Sequence, residues 1–138
     1  MSAPDFLDTN ILVYAYDAAS PEKQRIAQAL VRRAVAGEIV TSSQVLDEFA
    51  ATLLHKVSPA VSPGEVSTIL DALGPIKCIV TDSEMVHRAV EFRATYGIHF
   101  YDGLIVAAAE RSGSSRIWSE HLNAGQKYFG VRVENPFT

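Results

Sequence analysis

At 138 residues, 48% apolar and 20% charged, the chain has the size of one globular domain spanning 1–138. Such a domain buries roughly two-thirds of the surface of its unfolded chain. A formal net charge of −4 removes the global basic field that commonly marks nucleic-acid binders. It does not exclude an enzyme that gathers cations on clustered carboxylates, which is acidic before its ions bind. The lone cysteine, Cys78, excludes an internal disulfide and fits a reducing compartment. No basic segment followed by an apolar run is visible near Asp5, and no stretch reaches the roughly 18 apolar residues of a membrane span. A cytoplasmic protein with no membrane partner is the expectation.

The first informative stretch is Asp5-Phe6-Leu7-Asp8-Thr9-Asn10-Ile11-Leu12-Val13-Tyr14-Ala15. An apolar segment ends in a carboxylate, passes a Thr-Asn pair suited to local hydrogen bonds, and re-enters an apolar run. That predicts a strand, a tight turn and a short helix from Ile11 to Tyr16. Ser20-Pro21 places an N-cap and a first-turn proline at the start of a second helix, with Ile26, Leu30 and Ala34 as its core stripe and Gly37 as its stop. Glu38 to Thr41 is a short second strand.

Ser42-Ser43 then caps a helix carrying Val45, Leu46, Phe49, Leu53 and Leu54. The Pro/Ser-rich stretch 58–63 is short enough to be a loop. Ser62-Pro63-Gly64-Glu65 has capping-box spacing and opens a helix that ends at Gly74-Pro75. Ile76 to Val80 reads as a buried third strand, with Cys78 a small core residue rather than a nucleophile. Thr81-Asp82-Ser83-Glu84 is a second capping box, and its helix stops at Gly97. Asp102 begins a helix that is apolar almost all round from Leu104 to Ala109, and is therefore buried. Arg116 to Trp118 forms a fourth strand, Ser119 to Gly125 a loop or short helix, and Val131 to Glu134 a last strand. Strands alternating with helices predict an α/β fold on a largely parallel sheet.

In such a sheet, Asp8 lies at the carboxyl end of its strand, where ligands gather. Asp102 lies at a helix N-terminus that favours negative charge. Glu48 follows the second strand by little more than one helical turn. On the helical wheel Glu48 lies about 115° from the centre of the apolar stripe and Asp47 about 145°, so Glu48 is the better candidate. Each acid has an ordinary reading as a cap or a solvated residue. Three carboxylates at one sheet edge repel one another, however, and call for a cation. All-oxygen ligands select Mg²⁺ or Mn²⁺ over zinc.

These stretches carry a resemblance. Phe6 to Ala15, Ser43-Gln44-Val45-Leu46-Asp47-Glu48-Phe49 and Phe100-Tyr101-Asp102-Gly103-Leu104-Ile105 are similar, in order and spacing, to the three acidic motifs of PIN-domain ribonucleases. They most resemble those of VapC toxins from toxin–antitoxin pairs. The resemblance implies a three-layer PIN-like α/β fold whose central sheet has four to five short, mostly parallel strands flanked by helices. It implies Asp8, Glu48 and Asp102 as catalytic ligands of Mg²⁺ (or Mn²⁺), with Asn10 supporting Asp8. Trp118 to Gly125 resembles the fourth motif, which usually has an acid where this chain has His121. Glu120 could turn inward as the replacement ligand. His121 could instead meet substrate phosphate, bind a softer metal, or be an ordinary loop histidine.

The implied reaction is metal-dependent hydrolysis of an RNA phosphodiester. The implied partners are an RNA substrate, a cognate antitoxin protein and a second copy of the chain in a homodimer. Two rivals stay open at this point. One is a PIN-like RNA- or protein-binding module that is catalytically weak or inactive. The other is an aspartyl-phosphate phosphatase, for which Asn10 stands where a second acid is usual. His55 and His87 read as surface or groove residues, and His99 as a packed loop histidine. Tyr14, Tyr16, Phe100 and Tyr101 read as core or dimer packing rather than base stacking.

Overall fold

The computed structural model describes residues 3–138. Strand β1 (Asp5–Leu7) is followed by helices α1 (Thr9–Ala15) and α2 (Pro21–Val35), then β2 (Ile39–Ser42) and α3 (Ser43–His55). Helix α4 (Pro63–Leu73) leads to β3 (Cys78–Ile79), α5 (Ser83–Tyr96), α6 (Phe100–Arg111) and β4 (Arg116–Trp118). A hairpin of β5 (Lys127–Tyr128) and β6 (Val131–Glu134) completes a sheet of order β3-β2-β1-β4-β6-β5. All neighbours are parallel except β5 against β6. The mostly parallel α/β sheet flanked by helices is the expected fold. It has six strands rather than four to five because the two-residue β5, too short to announce itself, pairs back on β6.

The centre of the sheet follows from the apolar runs. Phe6 and Leu7 on β1, Ile39 on β2, Ile117 on β4 and Val133 on β6 are fully buried. Both faces are covered, so these strands need apolar side chains on both sides. Helix α6 is buried from Gly103 to Ala109. It lies so close to α5 that a Cβ on Gly103 would stand 2.8 Å from the Ala89 carbonyl oxygen.

Several local expectations shift. The buried stripe of α2 includes Leu30 and Ala34 as expected, joined by Ala27 and Val31, while Ile26 is only half-buried. Ser42 alone caps α3, accepting from the Val45 amide, and Asp82 rather than Thr81 caps α5, accepting from the Met85 amide. The third strand is the edge of the sheet and is paired only with β2, so Cys78 is half-buried and Val80 is exposed. Burial still pushes the Cys78 thiol up, which leaves it a poor nucleophile. Helix α6 begins at Phe100, not Asp102. His99 is its N-cap, with Nδ1 accepting from the Tyr101 amide. The Ser62–Glu65 capping box and the Gly97 stop, in the left-handed region at φ 69°, stand as expected. Among the described residues, no helix is long and apolar enough to cross a membrane.

Candidate active site

The site starts where β1 ends. The Asp8 amide donates to the Trp118 carbonyl (3.1 Å), which extends the β1–β4 pairing by one residue. Its side chain then turns back as the N-cap of α1, with Oδ1 accepting from the Thr9 amide at 2.7 Å. Oδ2 accepts from the Ser119 hydroxyl (2.7 Å) and the Asn10 amide group (3.3 Å). Asp8 is only 5% exposed. Burial raises its carboxyl above the ordinary range. The bonds from Ser119 and Thr9 oppose that shift, the neighbouring Glu48 adds to it, and His121 opposes it slightly.

A second buried acid on the same strand shows what Asp8 lacks. Asp5, at the opposite end of β1, is met by the Arg116 guanidinium (2.8 Å), the Trp118 indole N–H (3.0 Å) and Arg33 (3.7 Å). The donors to Asp8 are all uncharged, and among the described residues no lysine or arginine acts on it. His121 is the one potential cation that lowers the Asp8 carboxyl, and its effect is the smallest of those acting there, so this buried carboxylate lacks the fixed counter-charge that Asp5 has.

Glu48 reaches the site from the exposed face of α3. Its Oε2 accepts from the Thr9 hydroxyl (3.1 Å) and its Oε1 from the Gln44 amide group (2.7 Å). The same Gln44 nitrogen also donates to the Tyr101 carbonyl (3.0 Å), tying α3 to the first turn of α6. Asp102 stands in that first turn, with Oδ1 3.7 Å from His121 Nε2. Asp8, Glu48, Asp102, Asn10 and His121 line one open cleft of about 450 Å³ at the carboxyl edge of the sheet. Among the described residues, no three His, Cys, Asp or Glu side chains are already drawn together closely enough to ligate one ion.

The fourth-motif loop is locked onto this edge. Asn10 accepts from the Glu120 amide (2.9 Å), and the Ser119 hydroxyl oxygen accepts from the amides of His121 and Leu122 (3.1 Å each). The Glu120 side chain turns away from the three acids. It accepts from the Tyr14 hydroxyl (2.6 Å) and forms an ion pair with Lys23. Burial pulls its carboxyl upward, but the bonds from Lys23 and Tyr14 outweigh that and hold it below its ordinary range. The bond to Glu120 in turn raises the Tyr14 phenol, which therefore stays a donor. His121, its side chain 69% exposed, is the fourth-motif side chain that faces the cleft.

Sequence reasoning missed Ser119 and Gln44. The sequence reads Ser119 only as the start of a loop or short helix. Its place at the end of a strand, on the same edge as Asp8, was the available signal. Gln44 is buried (8% exposed) one helical turn before Glu48, and that i, i+4 spacing was its signal. His99 is a helix cap stacked on Tyr101 rather than a loop histidine, and Tyr101 is 58% exposed rather than packed. Tyr14 and Phe100 pack against the core as expected.

Fold and cleft together define a class: α/β proteins whose parallel sheet gathers carboxylates at one edge. The PIN domain family model matches residues 6–121, and the chain belongs to that family. No curated protein matches the sequence significantly. Among solved structures, the chain is similar to VapBC2 from Rickettsia felis bound to a promoter DNA fragment, with 22% identity, TM-score 0.65, and 95% of this chain and 97% of that one covered. It is similar to a toxin–antitoxin complex from Klebsiella pneumoniae at 18% identity and TM-score 0.68, with 98% of each chain covered. It is also similar to VapC20 from Mycobacterium tuberculosis, a Sarcin-Ricin loop cleaving toxin, at 16% identity and TM-score 0.62, covering 83% of this chain and 88% of that one. These likenesses establish a shared fold.

Proposed function

We propose that the protein is a metal-dependent endoribonuclease of the PIN family, and the toxin of a toxin–antitoxin pair. The observation that carries this reading is the contrast on β1. Asp5 receives fixed counter-cations from Arg116 and Arg33, while Asp8, as deeply buried, has no lysine or arginine and only a small effect from His121, and Glu48 and Asp102 bring further negative charge to the same cleft. An all-carboxylate donor set fits Mg²⁺ or Mn²⁺. Glu48 is exposed and Asp102 half-buried, so neither side chain is locked in place by packing.

When bound, such an ion supplies Lewis acidity, activating water and taking up charge that develops on the phosphate. The chain's own residues prepare the site. Ser119, Thr9 and Asn10 hold Asp8 in one orientation, and Gln44 and Thr9 hold Glu48. His121 stands at the cleft mouth beside Asp102, where it can donate to a phosphate oxygen. Glu120 acts by anchoring its loop through Lys23 and Tyr14.

The partner proposals have their own support. An apolar cavity of about 330 Å³, lined by Val13, Tyr16, Leu53, Val57 and Val61, adjoins the acid cleft through Val13 and Asp17. It suits an antitoxin segment whose arginine reaches the acids. Exposed Val86 and Val90, one turn apart on α5, and exposed Val80 beside β3 are apolar side chains that a homodimer could cover. A monomer by light scattering at micromolar concentration would remove the dimer. Cytoplasmic action on RNA follows from the nuclease reading.

A binding module that does not cut is the second reading, and its support is that the three acids are not already drawn into a cage. The phosphatase reading has none: Asn10 spends its amide on Asp8, Ser119 and Glu120. Incubation with single-stranded RNA separates the first two. Cleavage in Mg²⁺ or Mn²⁺ that is lost in EDTA and in Asp8→Asn supports the nuclease. Cleavage that survives both changes removes the mechanism, and no cleavage in either metal leaves the binding module.

A further inference from the structure

The acid cleft shares Thr9, Glu48, Thr52 and Tyr101 with a second cavity of about 450 Å³ that continues along α3 toward Lys56. Tyr101 is the one aromatic residue that lines both. It is the most exposed aromatic residue described, and the others are differently placed. Phe129 packs on Phe92, Tyr96 and the Arg88 guanidinium, and Tyr16 packs on Phe49. The Tyr101 ring lies nearly parallel to His99 (22° between planes, centroids 5.8 Å apart) and nearly perpendicular to Phe100 (77°, 5.2 Å). Its backbone is pinned at both ends, the amide donating to His99 Nδ1 and the carbonyl accepting from buried Gln44. Tyr101 thus keeps 58% of its surface exposed on the rim of the carboxylate site, on a backbone held at both ends, with His99 and Phe100 as its aromatic neighbours.

We propose that this second cavity is a nucleotide subsite for single-stranded RNA. In it Tyr101 stacks on the base adjoining the scissile phosphate, and Lys56 meets the next phosphate along the strand. The proposal rests on the nuclease reading, which sets where the scissile phosphate lies. A base can reach an aromatic ring only when unpaired, and stacking tolerates any base because each has a π-face. Charge orients the strand. Asp47 and Glu48 on the α3 wall repel phosphate, and Lys56 is the one cation among the described residues lining this cavity. Lys56 is exposed, so its ammonium is free to move with the backbone it contacts.

The test uses the full chain carrying Asp8→Asn, so that RNA is not consumed, and a single-stranded 12-nucleotide RNA containing 2-aminopurine. The expected result is quenching of the fluorophore on binding. Tyr101→Ala should abolish the quench and weaken binding by about tenfold or more, while Tyr101→Phe and Tyr101→Trp restore both. Lys56→Gln should lower the slope of log affinity against log salt by about 0.7. The same strand annealed to its complement should compete poorly. With Asp8 intact, Tyr101→Ala should raise KM far more than it lowers kcat. Quench and affinity unchanged by Tyr101→Ala, or equal competition by the duplex, overturns the subsite. An unchanged salt slope in Lys56→Gln overturns the phosphate contact. Failure of the nuclease reading looks different: the unaltered protein would leave RNA uncut in Mg²⁺ and Mn²⁺, whatever Tyr101 does to the fluorophore.

Discussion

Ser119 donates its hydroxyl proton to Asp8 Oδ2 at 2.7 Å, joining residues 111 apart in the chain. The contact ties the carboxyl ends of β1 and β4 together. Of the bonds that hold the Asp8 carboxyl down against burial, it is the strongest. Ser119→Ala removes it and also leaves the amides of His121 and Leu122 without their acceptor. The expected cost is about 1–3 kcal/mol in urea unfolding. The Asp8 carboxyl should also rise further, so the acid limb of the pH–cleavage profile should move to higher pH. An unmoved acid limb would show that Asp8 does not govern it.

The pH dependence of stability has a definite sign. The folded carboxyl of Asp8 lies above its ordinary value of 3.8. Its contribution is therefore fully present below the unfolded value and is lost as pH rises through the folded one. In EDTA, the stability of the unaltered protein relative to Asp8→Asn should fall as pH rises from acid to neutral. A bound divalent ion reverses the balance, adding about 2.7 kcal/mol at 100 times its Kd, and its effect should fade as Asp8 is protonated. Thermal unfolding with and without Mg²⁺, at acid and neutral pH, checks both trends.

Glu120 is predicted to be an anchor and not a ligand. Glu120→Gln breaks a partly exposed ion pair with Lys23 and should cost under about 1 kcal/mol. Mn²⁺ affinity should stay close to that of the unaltered protein. Loss of a true ligand would cost at least the roughly 10–100-fold that even supporting residues cost. Because the folded Glu120 carboxyl lies below its ordinary value of 4.5, its stabilisation is present above that pH and is lost as pH falls.

Gly103 has no room for a side chain, since a Cβ would stand 2.8 Å from the Ala89 carbonyl oxygen. Gly103→Ala should destabilise by about 1–3 kcal/mol through overpacking, even though alanine favours helices by roughly 1 kcal/mol. Denaturant unfolding gives the sign directly. A stabilised variant would mean that α5 and α6 do not pack this closely.

What could be read from the sequence was what is local. Asp8-Thr9-Asn10 announced the strand end because the capping chemistry lies within three residues, and Gly97 announced a helix stop that needs positive φ. On α2 the expected Leu30 and Ala34 are buried, but Ala27 takes the place of Ile26, because a small alanine weighs little in an apolar pattern although it is fully buried. That β3 is an edge strand, which leaves Val80 in solvent, depends on sheet order and not on the apolar run 76–80. Ser119 and Gln44 each carried a local hint, but the long-range half of their roles was not legible for a similar reason. Their bonds span 111 and 57 residues, so their purpose appears only once β4 and α6 are in place.

The central claim is that Asp8, Glu48 and Asp102 jointly hold one divalent ion. Electron paramagnetic resonance of Mn²⁺ titrated into the protein and into Asp8→Asn, Glu48→Gln and Asp102→Asn tests it most directly. Saturable binding to the unaltered chain, weakened by roughly tenfold or more in each variant, is the predicted result. Binding that is absent from the unaltered chain, or indifferent to any one of the three substitutions, would contradict it.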